Sequence, residues 1–492
     1  LGILSLTIFL PALGALLIGV IPGLSARFSR LIALAAAVLP LCLSVYMFAV
    51  YNPAAGGFQF EDSFQWIPSI GAGYHVGVDG LSLLLVLLTS LLGFISVLVS
   101  LKTEHRPRAF FAWLLLLETS ILGVFSSLDL LLFFVFWEIE VIPMYFLISN
   151  WGSGRKEYSA LKYVLYTLFG SAFMLAGIMG LYFTAGTFNL PELYQAGLGP
   201  AAQSLPLAAM FFLLIIGFAV KLPVFPLHTW LPDAHTDAPT AASIMLAGSL
   251  IKMGGYGIFR ICLGLFPDQA AHFAPLFMAL AMVSIVYGGA ITLRQTDIKR
   301  LIAYSSVSHM GFVLLGLFSL NYIGLAGACL QLVSHGLITG LLFAGAGILM
   351  HNTHERHIKK LGGLARQMPV LAGVFTIASI GAMGVPGTSG FIAEASVFLG
   401  AFSAGSVTGS TVFTVISLTG ILLAAAYMLT TLLKVFFGPA KTVFDSVTDL
   451  TRLEKFYCGL LITGIFLIGL YPAIATDVLE PAIAPLASLW GG

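Results

Sequence analysis

A chain of 492 residues that is 59% hydrophobic and only 9% charged, with a mean hydropathy of +1.01, lies far from the roughly 25% charged residues of soluble domains and reads as a polytopic membrane protein. Its 22 Lys and Arg against 21 Asp and Glu leave a net charge of +1, which excludes a basic field for nucleic acid and an acidic tail. Cys42, Cys262, Cys329 and Cys458 lie in or beside apolar runs without C-x-x-C spacing. They read as small core residues, not as cluster ligands or disulfides, so no redox cofactor is expected within this chain.

Windows of about 20 apolar residues predict an all-α membrane protein of about fourteen transmembrane helices. In chain order they lie near 2–21, 30–50, 79–101, 109–127, 129–149, 159–184, 206–236, 240–265, 273–294, 300–320, 322–350, 369–403, 409–437 and 456–480. The first, Ile3 to Val20, lacks the basic start and compact cleavage pattern of a secretory signal and is expected to span. The longest connections, Asn52 to Val78 and Gly186 to Leu205, are short and rich in Gly and Pro, leaving no soluble domain.

Charge in the connections predicts orientation. Loops from odd to even spans carry Arg27 and Arg30, then Lys102, Arg106 and Arg108, Arg155 and Lys156, Arg294, Lys299 and Arg300, Arg356 to Arg366, and Lys441 to Lys455. Loops from even to odd spans carry Glu61, Asp62, Asp129, Glu192 and Asp268, and neither Lys nor Arg. The positive-inside rule places the basic loops on the cytoplasmic side or its organellar equivalent. The connection around Asp233 to Pro239 breaks the pattern, having no basic residue of its own.

Glu138, Lys221, Lys252 and Glu394 fall inside these apolar spans. An ionised group at mid-membrane costs about 2.5–3.5 kcal/mol on insertion scales, so such residues face a polar interior and mark an ion or proton pathway. The seventh span is broken by Pro223 and Pro226, which cannot pair with the carbonyls of Ala219 and Leu222. The twelfth is broken at Pro386 among Gly384, Gly387 and Gly390, and each break lies beside a charge, Lys221 or Glu394.

Broken helices at matching places in two halves point to a transport site between inverted repeats. Spans four to eight and nine to thirteen then form two inverted five-helix repeats. The expected division is a three-helix flank over 1–105, a first repeat over 106–266, a second over 267–437 and a C-terminal helix over 438–492. The pairing sets Glu138 against His309, Lys221 against Glu394, and Lys252 against Lys434. Lys434 is close enough to its helix end to snorkel to the surface. Glu140, two residues from Glu138, is not expected to share its face.

Four runs carry a family resemblance: F-W-E-I-E-V-I-P-M-Y-F-L-I-S-N-W-G (136–152), A-V-K-L-P-V-F-P-L-H-T-W-L-P-D-A-H-T-D-A-P-T (219–240), A-Y-S-S-V-S-H-M-G-F (303–312) and G-T-S-G-F-I-A-E (387–394). They resemble the M-type antiporter-like subunit of respiratory complex I, the NuoM/NdhD family, which is related to large Mrp antiporter subunits. Glutamate at 394, where the L and N types usually have lysine, fits the M type, as does an ending near residue 492 without a long lateral helix. Glu140 is similar to the second acid of cyanobacterial and plastid members.

The resemblance implies an ion pair between Glu138 and Lys221, a link through Lys252, and a hydrated row through His309 and His335 to Glu394. It implies a proton-translocating subunit of a NADH- or ferredoxin-driven quinone oxidoreductase, in a bacterial plasma membrane or a thylakoid. Iron–sulfur clusters and quinone, with or without flavin, are then expected in partner subunits. Those partners would be other membrane subunits, including sibling antiporter-like chains and a neighbour's lateral helix, within a lipid bilayer and without nucleic acid. The alternatives are a Mrp-type sodium/proton antiporter subunit and a membrane subunit of a hydrogenase-linked complex.

Two clusters invite a metal reading. His351, His354 and His357 lie in a basic connection and read as a solvated turn, while His228, Asp233, His235 and Asp237 read as hydrogen-bonding groups or a proton entry route.

Overall fold

A computed structural model describes residues 2–198 and 206–491, so the last part of the Gly186 to Leu205 connection lies outside the described residues. The chain opens with α1 (Ile3–Val20) and α2 (Ala26–Val50), followed by an antiparallel hairpin of β1 (Gln59–Ile67) and β2 (Ala72–Val78). Next come α3 (Gly80–Val99), α4 (Pro107–Ser126), α5 (Leu130–Ile139), α6 (Val141–Trp151), α7 (Lys156–Ala185), α8 (Leu190–Ala196) and α9 (Leu207–Lys221). The middle holds α10 (Trp230–Asp237), α11 (Thr240–Met245), α12 (Lys252–Gly257), α13 (Pro267–Thr292), α14 (Ile298–Leu317) and α15 (Tyr322–Thr353). The rest is α16 (Pro369–Ala382), α17 (Ser389–Phe402), α18 (Ser410–Ser417), α19 (Thr419–Val435), α20 (Arg452–Leu470) and α21 (Ala473–Ala487).

Twelve helical segments among the described residues are long and apolar enough to cross a membrane, and each falls on one of the expected spans. Where the seventh and twelfth are expected, the chain instead forms pairs of shorter helices, α9 with α10 and α16 with α17. The hairpin corrects the reading of Asn52 to Val78 as a plain Gly- and Pro-rich connection. Gly73 N donates to Asp129 Oδ2 at 3.0 Å, fastening the hairpin to the start of α5. The fourteenth span is also shorter than expected, ending at Leu470 before Pro472.

Side-chain caps set where these helices begin. Asp79 accepts from Ser82 N, Asp129 from Leu131 N and Leu132 N, Asp297 from Lys299 N and Arg300 N, and Asn321 from Gly324 N. Burial then sorts helices into centre and rim. Every residue in the most apolar stretch of Thr240–Leu263 is buried, against 33% for Arg452–Leu470, so the outer helix presents Leu and Phe to lipid while the inner one is enclosed by protein. A charge on the inner helix is therefore answered by protein, not by hydrocarbon.

Candidate functional site: a row of buried acids and bases

The break after α9 is built from what proline removes. Pro223 has no amide hydrogen, so Val224 N reaches back one residue further to Ala219 O at 3.0 Å, and the indole of Trp230 donates to Val220 O at 2.9 Å. Phe225 N donates to Ser284 Oγ at 3.0 Å. With its last turn thus satisfied, α9 ends at Lys221 inside the protein. The Lys221 ammonium contacts Glu140 and stands 3.4 Å from the Tyr163 hydroxyl, which itself donates to Glu140 Oε2 at 2.5 Å. The rings of Trp137 and Tyr163 lie 5.5 and 5.3 Å from the ammonium, adding cation–π attraction.

The partner of Lys221 is thus Glu140, which corrects the expected pairing with Glu138. The fifth span is interrupted at a single residue. Pro143 cannot donate to the Ile139 carbonyl, and the chain breaks at Glu140 between α5 and α6. Glu140 keeps helical torsions (φ −65°, ψ −25°) and faces inward, fully buried, while Glu138, two residues away on another face, is partly exposed with Oε1 buried and unpartnered among the described residues. The expectation that the two acids do not share a face holds; what differs is which of them faces inward.

A second group lies on the central helices. Lys252 sits between two π-helical stretches, Leu246–Leu250 and Ile258–Leu263, a distortion frequent at functional sites. Gly254 lets its helix press on the end of α9, since a Cβ there would come within 2.5 Å of Leu222 N and Phe218 O. The Lys252 ammonium donates to the Ala247 carbonyl and lies 2.7 Å from His335 Nδ1. The rings of His335 and His309 are 5.5 Å apart, and His309 Nδ1 is 3.3 Å from Glu394 Oε1. Tyr427 closes the far side, its hydroxyl 3.4 Å from His309 Nε2. The structure therefore brings Lys252, His335, His309 and Glu394 into one buried row. A small cavity of about 10 Å³, lined by His335, His309 and Glu394 with Ser305, Gln331 and Thr339, is close to the size of one water.

Glu394 is placed by the second break. Val385 N reaches Ile380 O at 3.0 Å, Gly384 adopts φ +65° and Gly387 φ +93°, and α17 then carries Glu394 back over the break. A Cβ at Gly384 would stand 2.6 Å from Glu394 Oε2, so only glycine leaves the carboxylate its place.

The remaining titratable groups fall elsewhere. Lys434 is exposed, and so are His351, His354 and His357, with His357 Nδ1 2.8 Å from Glu355. Asp233 is paired with Lys162 at 2.7 Å and Arg300 at 3.4 Å, and Asp237 accepts from Ser159 at 2.6 Å. Lys299 donates to Ala238 O at 2.5 Å, so neighbouring elements supply the positive charge that the Asp233 to Pro239 connection lacks. His228 and His235 are buried with no partner on either ring nitrogen among the described residues. Tyr163 and Tyr427, and the buried Glu118 set against Gly93, escaped the sequence reading. Glu118 alone gave a signal, an acid in mid-span.

The comparisons agree with this architecture. The family described as "NADH:quinone oxidoreductase/Mrp antiporter, TM" matches residues 127–421. The chain is 40% identical over 492 residues, covering 98% of it and 91% of the relative, to "NAD(P)H-quinone oxidoreductase chain 4 2" of Thermosynechococcus vestitus. It is 37% identical to the chain 4-2 protein of Synechocystis, over 97% of this chain and 90% of that one. Among solved structures, a chain of respiratory complex I from Thermus thermophilus superposes with a TM-score of 0.90 at 32% identity, covering 99% of this chain and all of that one. A chain of the Mrp complex from Dietzia shares the fold, with a TM-score of 0.84 at 21% identity, covering 99% of both chains. On its matched residues, its relatives and its fold, the chain belongs to the NADH:quinone oxidoreductase/Mrp antiporter transmembrane family.

Proposed function

We propose that the chain is the proton-translocating, antiporter-like subunit of a complex I-type quinone oxidoreductase, in a bacterial plasma membrane or a thylakoid. It carries no redox chemistry of its own; iron–sulfur clusters, quinone and any flavin belong to partner subunits. The observation that carries this reading is the buried row itself. Base and acid meet at the seventh-span break, and a second base runs through two histidines to an acid at the twelfth.

In this reading Glu140 holds the charge on Lys221. A partner subunit that draws Glu140 away removes that support, and Lys221 releases its proton toward Lys252, His335, His309 and Glu394. Glu138, partly exposed and with one bare oxygen, is the acid on the same span that a neighbour's charge can reach. Entry is from the basic face, through a cavity of about 390 Å³ lined by Asp233, Asp237, Asp297, Arg300 and Arg356, with the buried His235, unpartnered among the described residues, between Asp233 and Asp237 on the same helix. Moving each proton against the membrane potential costs about 2.3 kcal/mol per 100 mV, which redox chemistry in the partners supplies.

The same reading treats 106–266 and 267–437 as inverted copies. It is supported by the matching partnerships: span five to span seven through Glu140 and Lys221, span ten to span twelve through His309 and Glu394. The test is proton uptake by vesicles carrying the whole complex. Lys221→Ala is expected to abolish most pumping while quinone reduction continues under an uncoupler. Full pumping would remove the row from the path.

A further inference from the structure

The eighth span carries more than Lys252. Lys252, Tyr256 and Arg260 recur four residues apart on one face, and helical side chains lean toward the N-terminus, so each stands over the turn before its own. The Arg260 guanidinium lies 5.3 Å from the Tyr256 ring. The Tyr256 hydroxyl donates to Phe125 O at 3.2 Å and is 3.0 Å from Ser82 Oγ. Arg260 Nη2 donates to Asp79 Oδ2 at 2.5 Å and is 3.4 Å from Ser82 Oγ, while Ser82 N donates to Asp79 Oδ1 at 3.0 Å. All four side chains are buried, and Arg260 Nε has no partner among the described residues.

Beyond this pair lies a cavity of about 360 Å³ lined by Asp79, Arg260, Phe58, Tyr194, Phe259 and Leu486. Phe58 and Tyr194 belong to connections from even to odd spans, so the cavity lies on the face opposite the basic loops. None of these groups belongs to the row described above.

We propose that Asp79 and Arg260 form a proton gate on that face, joined to Lys252 through Tyr256 and Ser82, giving the first half of the chain its own outlet. The inference rests on the proton-translocating reading. A proton from Lys252, one turn away on the same face, is taken up at the Tyr256 oxygen as the phenol gives its own to Ser82 Oγ, 3.0 Å away, and Ser82, whose backbone nitrogen already holds Asp79, gives its own to the Asp79 carboxylate. One O–H or N–H bond breaks for each that forms. Lys252 ends neutral, both hydroxyls are restored, and Asp79 is left as the acid. The Arg260 cation, now without its counter-ion, repels the added proton, which leaves for cavity water, and the ion pair re-forms.

The test compares protons taken up per quinone reduced, in inside-out vesicles carrying the whole complex. Tyr256→Phe keeps the ring under Arg260 and removes only the hydroxyl. Both it and Asp79→Asn are expected to lower the ratio at least twofold, with uncoupled quinone reduction retained. Full pumping in both, alongside loss in Lys221→Ala, overturns the gate alone; full pumping in all three overturns the underlying reading. Asp79 also caps α3, so a second measurement avoids its loss. In a Cys42→Ser background, Leu486→Cys is labelled with a bulky, membrane-impermeant thiol reagent. Labelling from the cavity side is expected to cut pumping at least twofold relative to the same unlabelled vesicles, and unchanged pumping at full labelling overturns the gate.

Discussion

The two broken spans hold their charges in opposite ways. At the first, an acid on α5/α6 touches a base at the end of α9, with a tyrosine hydroxyl and two aromatic faces around the contact. At the second, the base is His309 and the acid is Glu394, 3.3 Å apart. The polarity is swapped and the contact is looser. Lys252, between them, touches a carbonyl and a histidine and no carboxylate among the described residues. Breaking a buried pair from one side costs about 3–5 kcal/mol, because the other charge is stranded. An ordinary hydrogen bond contributes only about 1 kcal/mol net. The first half thus pairs its buried base with a carboxylate, whereas the base at the centre is held by a carbonyl and a histidine.

The largest expected effect tests that asymmetry. Glu140→Gln strands the Lys221 charge and is expected to reduce coupled pumping more than tenfold, whereas Glu138→Gln, which leaves the contact intact, reduces it less. Proton uptake per quinone reduced distinguishes the two, and a more severe Glu138 variant would reverse the pairing. Gly384→Ala comes next. It forces a side chain into a left-handed backbone conformation that costs about 1–2 kcal/mol and meets the Glu394 carboxylate. Pumping is expected to fall severalfold with the Lys221 contact untouched.

Trp230→Phe keeps a ring but leaves the Val220 carbonyl without its donor, at a cost of about 1–3 kcal/mol. A lower thermal midpoint of the detergent-solubilised complex is the readout; an unchanged midpoint would mean the broken helix does not depend on that bond. The smallest effect lies at the basic face, away from both breaks. Burial pushes the Glu355 carboxyl up, but hydrogen bonds from His357, Lys360 and the Arg356 amide outweigh it and bring it down to about 2. Its folded value lies below the unfolded one of about 4.3, so its stabilisation is full above that value and lost as pH falls toward 2. Glu355→Gln is expected to flatten that part of the acid-stability curve slightly.

Much of the site was legible because buried charge in an apolar span has few alternatives. Lys221, Lys252, His335, His309 and Glu394 could be named in advance, and Pro223 and Pro386 marked both breaks. The error at Glu138 had a physical cause: a two-residue separation puts the acids on different faces but does not say which face is inside, and that is set by the packing that brings Lys221 and Tyr163 onto Glu140. Tyr163 and Tyr427 were illegible for a different reason. A tyrosine in a membrane helix reads the same whether it meets lipid or a carboxylate, and only the packing of α7 and α19 brings these two to the row.

Apolar length, loop charge and proline by themselves determined that the chain crosses a membrane repeatedly, which face carries the basic loops, and where two of its passes are interrupted, because each acts within one or two helical turns. Only the tertiary structure decided who touches whom: Lys221 with Glu140, Lys252 with His335, Asp79 with Arg260. Those partners are separated in sequence by 81, 83 and 181 residues, and whether side chains so far apart meet is set by helix packing and by the direction each kink gives them.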